Sequence, residues 1–356
     1  MPISDTNNSP RSLDLLRTAL PSNQRFVLAD IGARGGVVPE WKPLGDMASV
    51  IAFDPDEDAC GALADESISI ETVPCALASH PGEKAFYLTE LEYCHGFMPC
   101  NYDYLGRFPN AVNCKVRDCV TLQADSLDNV LGQLRHDHVD FMKIDTEGSE
   151  LDVLQGARKA MHDFKTLGLL VEVWWDPRLK GQPAFADLDT FIRDQGFTFF
   201  DIECQRYPRS TLPVGRMRAV RSEDGQTTYS CEAPYRHHGQ ILTADALYFR
   251  DPIWDLSQES NEFSWNDETI LRLVGLLDLY NYQDVAIELL DFYRDRFTKP
   301  IDADLLIDSL VPDIDGKILP FDQYWDLSAK LFSENYLLQH IRPKLRLARP
   351  RYRRKV

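Results

Sequence analysis

The sequence predicts an α/β fold: a Rossmann-like, doubly wound, mostly parallel sheet with a C-terminal helical appendage. Three observations carry that expectation. Strand-like and helix-like runs alternate from residue 25 to about 250. One run, "LGLLVEVWW" (167–175), is apolar almost throughout, as in a strand covered on both faces. The first strand ends in a Gly-rich turn, "ADIGARGG", at the edge where such sheets collect ligands.

The elements follow in order. Residues 1–24 form a polar segment around one short helix, "LDLLRTAL", with Ser12 as its expected N-cap. "RFVLADIG" (25–32) reads as the first strand, "SVIAFDPD" (49–56) as the second and "SISIETVPCAL" (67–77) as the third. "KAFYLTE" and "NCKVRDCVTL" read as two further strands forming an edge hairpin. "SLDNVLGQL" is a short helix that Ser126 can cap. "VDFMKID" is the next strand. "SELDVLQGARKAM" is a helix with Leu151, Leu154, Ala157 and Met161 on one face. The apolar strand follows, then the helix "FADLDTFIRDQG" and the strands "FTFFDIE" and "ADALYFR". Composition shifts after about residue 251. "DETILRLVGLLDLYNYQDVAIELLDFYRDRF" reads as a helical hairpin, giving expected segments 1–24, 25–251 and 252–356.

The 356 residues are 44% hydrophobic, enough for a sizeable core. The longest apolar runs are about half of the roughly 20 residues a membrane span needs. The N-terminus lacks the order of a signal peptide, so a cytoplasmic location is expected. A net charge of −18 repels nucleic acid and argues against a dedicated DNA or RNA binder. The tail "IRPKLRLARPRYRRKV" (341–356) is the exception. It reads either as a solvated end or as a patch attracted to a membrane surface or an anionic substrate. Cys94, His95, Cys100, Cys114 and Cys119 crowd together without a C-x-x-C pair, so free core thiols are expected rather than zinc.

In the turn, Gly32, Gly35 and Gly36 allow close backbone approach. Asp54, at the end of the second strand, is placed to accept both hydroxyls of a ribose. Both features suit any adenosine cofactor. Asp30 separates the candidates: a carboxylate beside the turn repels a pyrophosphate but attracts the ammonium and sulfonium of S-adenosylmethionine. The pattern is also G-x-x-G-G rather than G-x-G-x-x-G, which disfavours a nicotinamide-dependent oxidoreductase or epimerase.

"VDFMKIDTEGSELDVLQGA" resembles the signature of the FkbM-type S-adenosylmethionine-dependent methyltransferases. The matching positions are Asp140, Lys143, Asp145, Glu147, Gly148, Glu150, Leu154, Gly156 and Ala157. "DIGARGG", "FDPD" in place of a commoner F-E-P, "SLDNVL" and "LVEVWW" occur in the family's order, and the resemblance covers roughly residues 25 to 250. Arg34 stands where the family often has Asn, and Asp54 where it has Glu.

The resemblance implies a methyltransferase-type sheet and a sugar or glycoconjugate as acceptor. The cofactor would be S-adenosylmethionine, held by Asp30, Gly32, Ala33, Gly35, Gly36, Asp54, Pro55, Ala76 and Asp145.

The residues suggest the chemistry on their own account. O-methylation needs alignment of the acceptor hydroxyl with the methyl group and a base for its proton. Asp145 and Glu147 are the candidates for base; His80 and His95 are outside ones. Lys143 and Glu172 are expected to neutralise each other across neighbouring strands, since an unpaired buried carboxylate is costly. No metal is expected, because no His or further acid stands at ligand spacing from Asp145 and Glu147. Trp174 and Trp175 offer either an aromatic face for a sugar or lipid, or core. A third reading is a non-catalytic binding protein that retains the cofactor and uses its helical tail for assembly. The sequence names neither the acceptor nor the oligomeric state.

Overall fold

The structure, a computed structural model, describes residues 10–21, 26–134, 136–211, 216–221, 227–232, 239–256, 263–297, 302–314 and 317–334. The basic tail at 341–356 lies outside the described residues. The strands are β1 (Phe26–Ile31), β2 (Ala48–Phe53), β3 (Ser69–Val73), β4 (Ala76–Leu77), β5 (Gly82–Thr89), β6 (Val116–Asp125), β7 (Phe141–Ile144), β8 (Gly168–Trp174), β9 (Thr198–Tyr207), β10 (Arg216–Arg221), β11 (Thr227–Glu232) and β12 (Gln240–Phe249). By internal contacts the chain divides into two units.

The first unit comprises Phe26–Val38 and Ala48–Asp251. It is built on a seven-stranded sheet of order β3-β2-β1-β7-β8-β12-β9, in which β12 runs antiparallel to its neighbours. The order reverses between β1 and β7, which creates the switch point where ligands bind in open α/β sheets. The central strands are apolar because both faces are covered. All six residues of β1 are buried, and Ile51, Met142, Ile144, Val171 and Ala246 join one core cluster.

β5 and β6 pair as expected, but they belong with β4 to a separate three-stranded sheet rather than to the edge of the main one. The expected third strand is thereby cut in two, between Val73 and Ala76. Ser126 does cap its helix, accepting from the Asn129 amide at 3.3 Å.

The helix after β7 is also interrupted, into Glu150–Gln155 and Arg158–His162. At Gly156 the chain passes so close to Ala78 that an added Cβ would lie 2.2 Å from its carbonyl oxygen. The buried face is therefore Val153, Leu154, Ala157, Ala160 and Met161, and Leu151 is only partly covered.

The second unit comprises Met1–Arg25, Pro39–Met47 and Pro252–Val356. The N-terminal helix Arg11–Ala19 thus shares a unit with the C-terminal helices. Ser12 does not cap it. The cap position is Pro10, and Ser12 lies inside the helix, buried, with its hydroxyl on Asp278. The expected helical hairpin is Asp267–Leu279 and Gln283–Phe292, and Asn266 caps the former through the Thr269 amide. Among the described residues no helix is long and apolar enough to cross a membrane.

Candidate active site

The carboxyl ends of β1, β2, β7 and β8 converge on two cavities that share Tyr93 and Glu147 in their walls. The first, of about 450 Å³, runs along Gly32, Asp54, Pro55, Ala76 and Asp145. The second, of about 500 Å³, lies against Glu172, Trp174, Arg178, Tyr207 and Thr243.

Gly32 has φ +84°, and a Cβ there would stand 1.9 Å from the Asp145 carbonyl oxygen. Only glycine lets the turn after β1 cross the end of β7 this closely. In the first cavity Asp54 spends one carboxylate oxygen on the Asp56 amide, at 2.8 Å. The same oxygen lies 3.7 Å from the Arg34 guanidinium. Burial raises its pKa. Arg34 joins the wall and bridges Asp56 at 2.5 Å and Glu92 at 2.9 Å. The residue that departs from the family pattern thus ties the Gly-rich turn to the segment between β5 and β6.

Asp30, Ala33, Gly35 and Gly36 do not line this cavity. The reason for Asp30 is the register: it is the direct cross-strand partner of Lys143, and the two opposite charges meet at 3.5 Å. Asp30 is therefore paired with a lysine. Burial raises its pKa, against the pull of Lys143. Lys143 also reaches Asp145 at 3.3 Å and the Gly32 carbonyl oxygen at 3.2 Å. Its pKa is raised by these two carboxylates despite burial.

The expected pair of Lys143 with Glu172 is not formed. Lys143 is in register with Leu170, so Glu172 stands two residues further along β8, and Lys143 pairs with Asp30 and Asp145 instead. Glu172 instead takes the Trp174 indole N–H at 3.1 Å. The Thr243 hydroxyl lies 3.1 Å from Glu172 Oε1 and 3.1 Å from the Val173 carbonyl oxygen. A hydroxyl has one proton to give. Given to the carbonyl, it leaves Thr243 to accept a proton from Glu172 itself. That arrangement fits a neutral Glu172, whose pKa burial and neighbouring carboxylates raise well above the usual range.

Glu147 stands between the cavities. Its φ of +54° is unusual for a side chain of its size, and this backbone is held from both sides. Glu150 fixes the turn, with one oxygen accepting from the amides of Thr146 (3.0 Å) and Gly148 (2.9 Å). Burial pushes Glu150 up to about 7. Arg178 holds the Glu147 carboxylate at 2.7 Å. Burial still outweighs that attraction and pushes Glu147 up to about 8.

Arg178 was not singled out by sequence reasoning. It is 7% exposed, covers the Trp174 ring at 4.3 Å and donates to the Cys114 sulfur at 3.3 Å. Its backbone is set by the Asn101 amide, which donates to its carbonyl at 2.8 Å. The segment between β5 and β6 also places Tyr93 in both walls and His95 in the first. His95 Nδ1 accepts from the Thr89 amide at 3.1 Å, leaving the proton on Nε2. Burial and Arg34 lower its pKa. The crowding of Cys and His in 94–119 was the signal for this wall. His80 is exposed and lines neither cavity. Trp174 is nearly buried, while Trp175 is partly exposed against Phe185.

Among the described residues, one group of acids could hold a metal ion: Asp145, Glu147 and Glu172, each offering an oxygen within 4.8 Å of the others. Local spacing shows two of these acids; the β7–β8 pairing supplies the third.

Residues 30–199 match the model of the methyltransferase FkbM domain. No curated protein matches the chain. Among solved structures, a TehB-like SAM-dependent methyltransferase from Corynebacterium glutamicum is 8% identical over 69% of this chain and 90% of its own, with a TM-score of 0.26. A precorrin-6y C5,15-methyltransferase from Geobacter metallireducens is 15% identical over 70% and 93%, at 0.27. A SAM-dependent methyltransferase from Methanosarcina mazei is 10% identical over 66% and 96%, at 0.29. Scores this low carry no argument, and the sheet order stands on the strand pairing itself. By this match, residues 30–199 are a methyltransferase FkbM domain, which implies S-adenosylmethionine as the cofactor.

Proposed function

We propose that this enzyme methylates a hydroxyl group, on a sugar or glycoconjugate. The observation that carries the reading is the pair of cavities meeting at Glu147 and Tyr93. One has the glycine turn and a ribose-type acid. The other has carboxylates and an aromatic wall, groups that suit a polyhydroxylated ring.

The first cavity suits S-adenosylmethionine, with Gly32, Pro55 and Ala76 around it and Asp54 accepting from the ribose. When bound, S-adenosylmethionine supplies an electrophilic methyl group. The protein's part is to align the acceptor and take its proton. Asp145, held by Lys143, and Glu147, held by Arg178, are the two carboxylates positioned for this. Glu172, kept neutral between Thr243 and the Trp174 indole, would shape the acceptor wall rather than take the proton. A cytoplasmic location and a small-molecule or glycan acceptor belong to the same reading, with no nucleic acid as partner.

The test is transfer of a labelled methyl group to a pool of sugars and glycans, with the product located by mass spectrometry. A methylated hydroxyl, made slowly by Asp145→Asn with cofactor still bound, is the expected result. Methylation on nitrogen or carbon would overturn the proposal.

A further inference from the structure

The chain carries a net charge of −18, yet the wall of the second cavity runs against that excess. Among the described residues it holds two arginines, Arg178 and Arg206, and two glutamates, Glu147 and Glu172. Arg206 stands on β9 and Arg178 follows β8, the two strands that flank β12. Glu147 answers Arg178 at 2.7 Å. Glu172 accepts the Trp174 N–H at 3.1 Å and has the Thr243 hydroxyl at 3.1 Å, an arrangement that fits a neutral acid. The charge of Arg206 is then left over. Its side chain is exposed and makes no ion pair with any described residue.

Arg178 is pinned rather than saturated. Its Nη2 serves Glu147 and the Cys114 sulfur, the latter at 3.3 Å, and the guanidinium covers the Trp174 ring at 4.3 Å. Its Nε and Nη1 donate to no described residue. A cation already fixed in place, with donors to spare, loses little further freedom when a ligand takes them. A sugar hydroxyl could accept from these donors but could not cancel the charge of Arg206. A carboxylate or a phosphate does both.

We propose that the acceptor is an acidic sugar, whose carboxylate or phosphate is bound by Arg178 and Arg206. This rests on the reading of the second cavity as the acceptor site, and it adds the class of sugar. The anion anchors the ring at the β8 and β9 side of the cavity, and a hydroxyl is presented toward Glu147.

The test is calorimetry on the full-length protein loaded with S-adenosylhomocysteine, so that nothing turns over. The ligands are glucuronate and galacturonate, the 1-phosphates of glucose and galactose, and the two neutral sugars. At least one acidic class should bind about tenfold or more tightly than the neutral sugars, the scale of a hydrogen bond to a charged group. The uronate and phosphate arms tell which acid the site takes. Arg178→Gln would strand Glu147 and risk the fold, so the exposed Arg206 carries the test. Arg206→Gln should remove most of the preference and leave the neutral sugars as they were. Equal affinity for acidic and neutral sugars, no binding by either acid, or a preference that survives Arg206→Gln would overturn the proposal. Failure of the wider reading looks different. Acid preference with the labelled methyl group found on nitrogen or carbon would overturn hydroxyl methylation and leave the anion site standing. Hydroxyl methylation with no acid preference in binding would do the reverse.

Discussion

Lys143 is compensated from two strands at once, by Asp30 and by Asp145. Truncating one partner of a buried charge group strands the others, at a cost of about 3–5 kcal/mol. Lys143→Met is expected to lose stability on that scale in urea denaturation, and Lys143→Arg far less. A Lys143→Met protein as stable as the wild type would show that the two aspartates need no cation. The acids beside it give the fold a pH dependence. Burial raises Glu147 to about 8 and Glu150 to about 7, from an ordinary value of 4.5. Their neutral forms are thus favoured in the fold. That contribution is full below about 4.5 and is lost as pH rises through 7 and 8. Carboxylates with lowered values, such as Asp56 and Asp152, act below 3.8, outside this window. His95, lowered from 6.5, and Cys114, lowered from 9.0, act the other way, so the melting temperature should fall between pH 6.5 and 8.5 by less than these two acids alone would give. Glu150→Gln should flatten the slope. A melting temperature that rises across this range would contradict the assignment.

At the scale of elements, the break between the two short helices after β7 is set by a contact that runs across the chain. Gly156 puts this to a test in which two effects oppose each other. Replacing glycine by alanine in a helix favours the helix by about 1 kcal/mol. Here the new methyl would stand 2.2 Å from the Ala78 carbonyl oxygen, and backbone cannot swing aside as a side chain can. Overpacking of this kind costs about 1–3 kcal/mol, at the upper end against rigid neighbours. Gly156→Ala should therefore lower stability by about 1–2 kcal/mol net in a denaturant titration. A more stable variant would mean that the two short helices gain by joining.

The same contrast between local and distant determinants decides what the sequence could reveal. The strands were legible because their apolar runs are local, and the signature placed Asp145 and Glu147 at the end of β7. The partner of Lys143 was not legible. It depends on which residues lie side by side on adjacent strands: Lys143 faces Asp30 on β1, and on β8 it faces Leu170, two residues short of Glu172. Arg178 stayed hidden for the same reason. It follows β8 without a motif, and its partners Glu147, Trp174 and Cys114 come from three different elements. The interrupted helix was illegible because its cause, the Ala78 carbonyl, belongs to a remote segment.

At the scale of the whole sheet, the reversal of strand order between β1 and β7 opens the edge on which both cavities sit. The two are walled by largely different residues, so donor binding and acceptor binding should respond to different substitutions. Asp54 belongs to the first cavity alone. Losing a hydrogen bond to a charged group costs about 1–3 kcal/mol. Asp54→Ala should therefore weaken S-adenosylmethionine binding, read by calorimetry, roughly 10- to 100-fold. Tyr207 lines only the second cavity. Tyr207→Ala should leave that calorimetric affinity where it was and raise KM for the acceptor. Glu147, in both walls, is where the two meet. Glu147→Gln should bind the donor normally and slow single-turnover transfer about 10²-fold or more if it takes the proton. Equal losses of donor affinity in the Asp54 and Tyr207 variants would mean that the cavities act as one site.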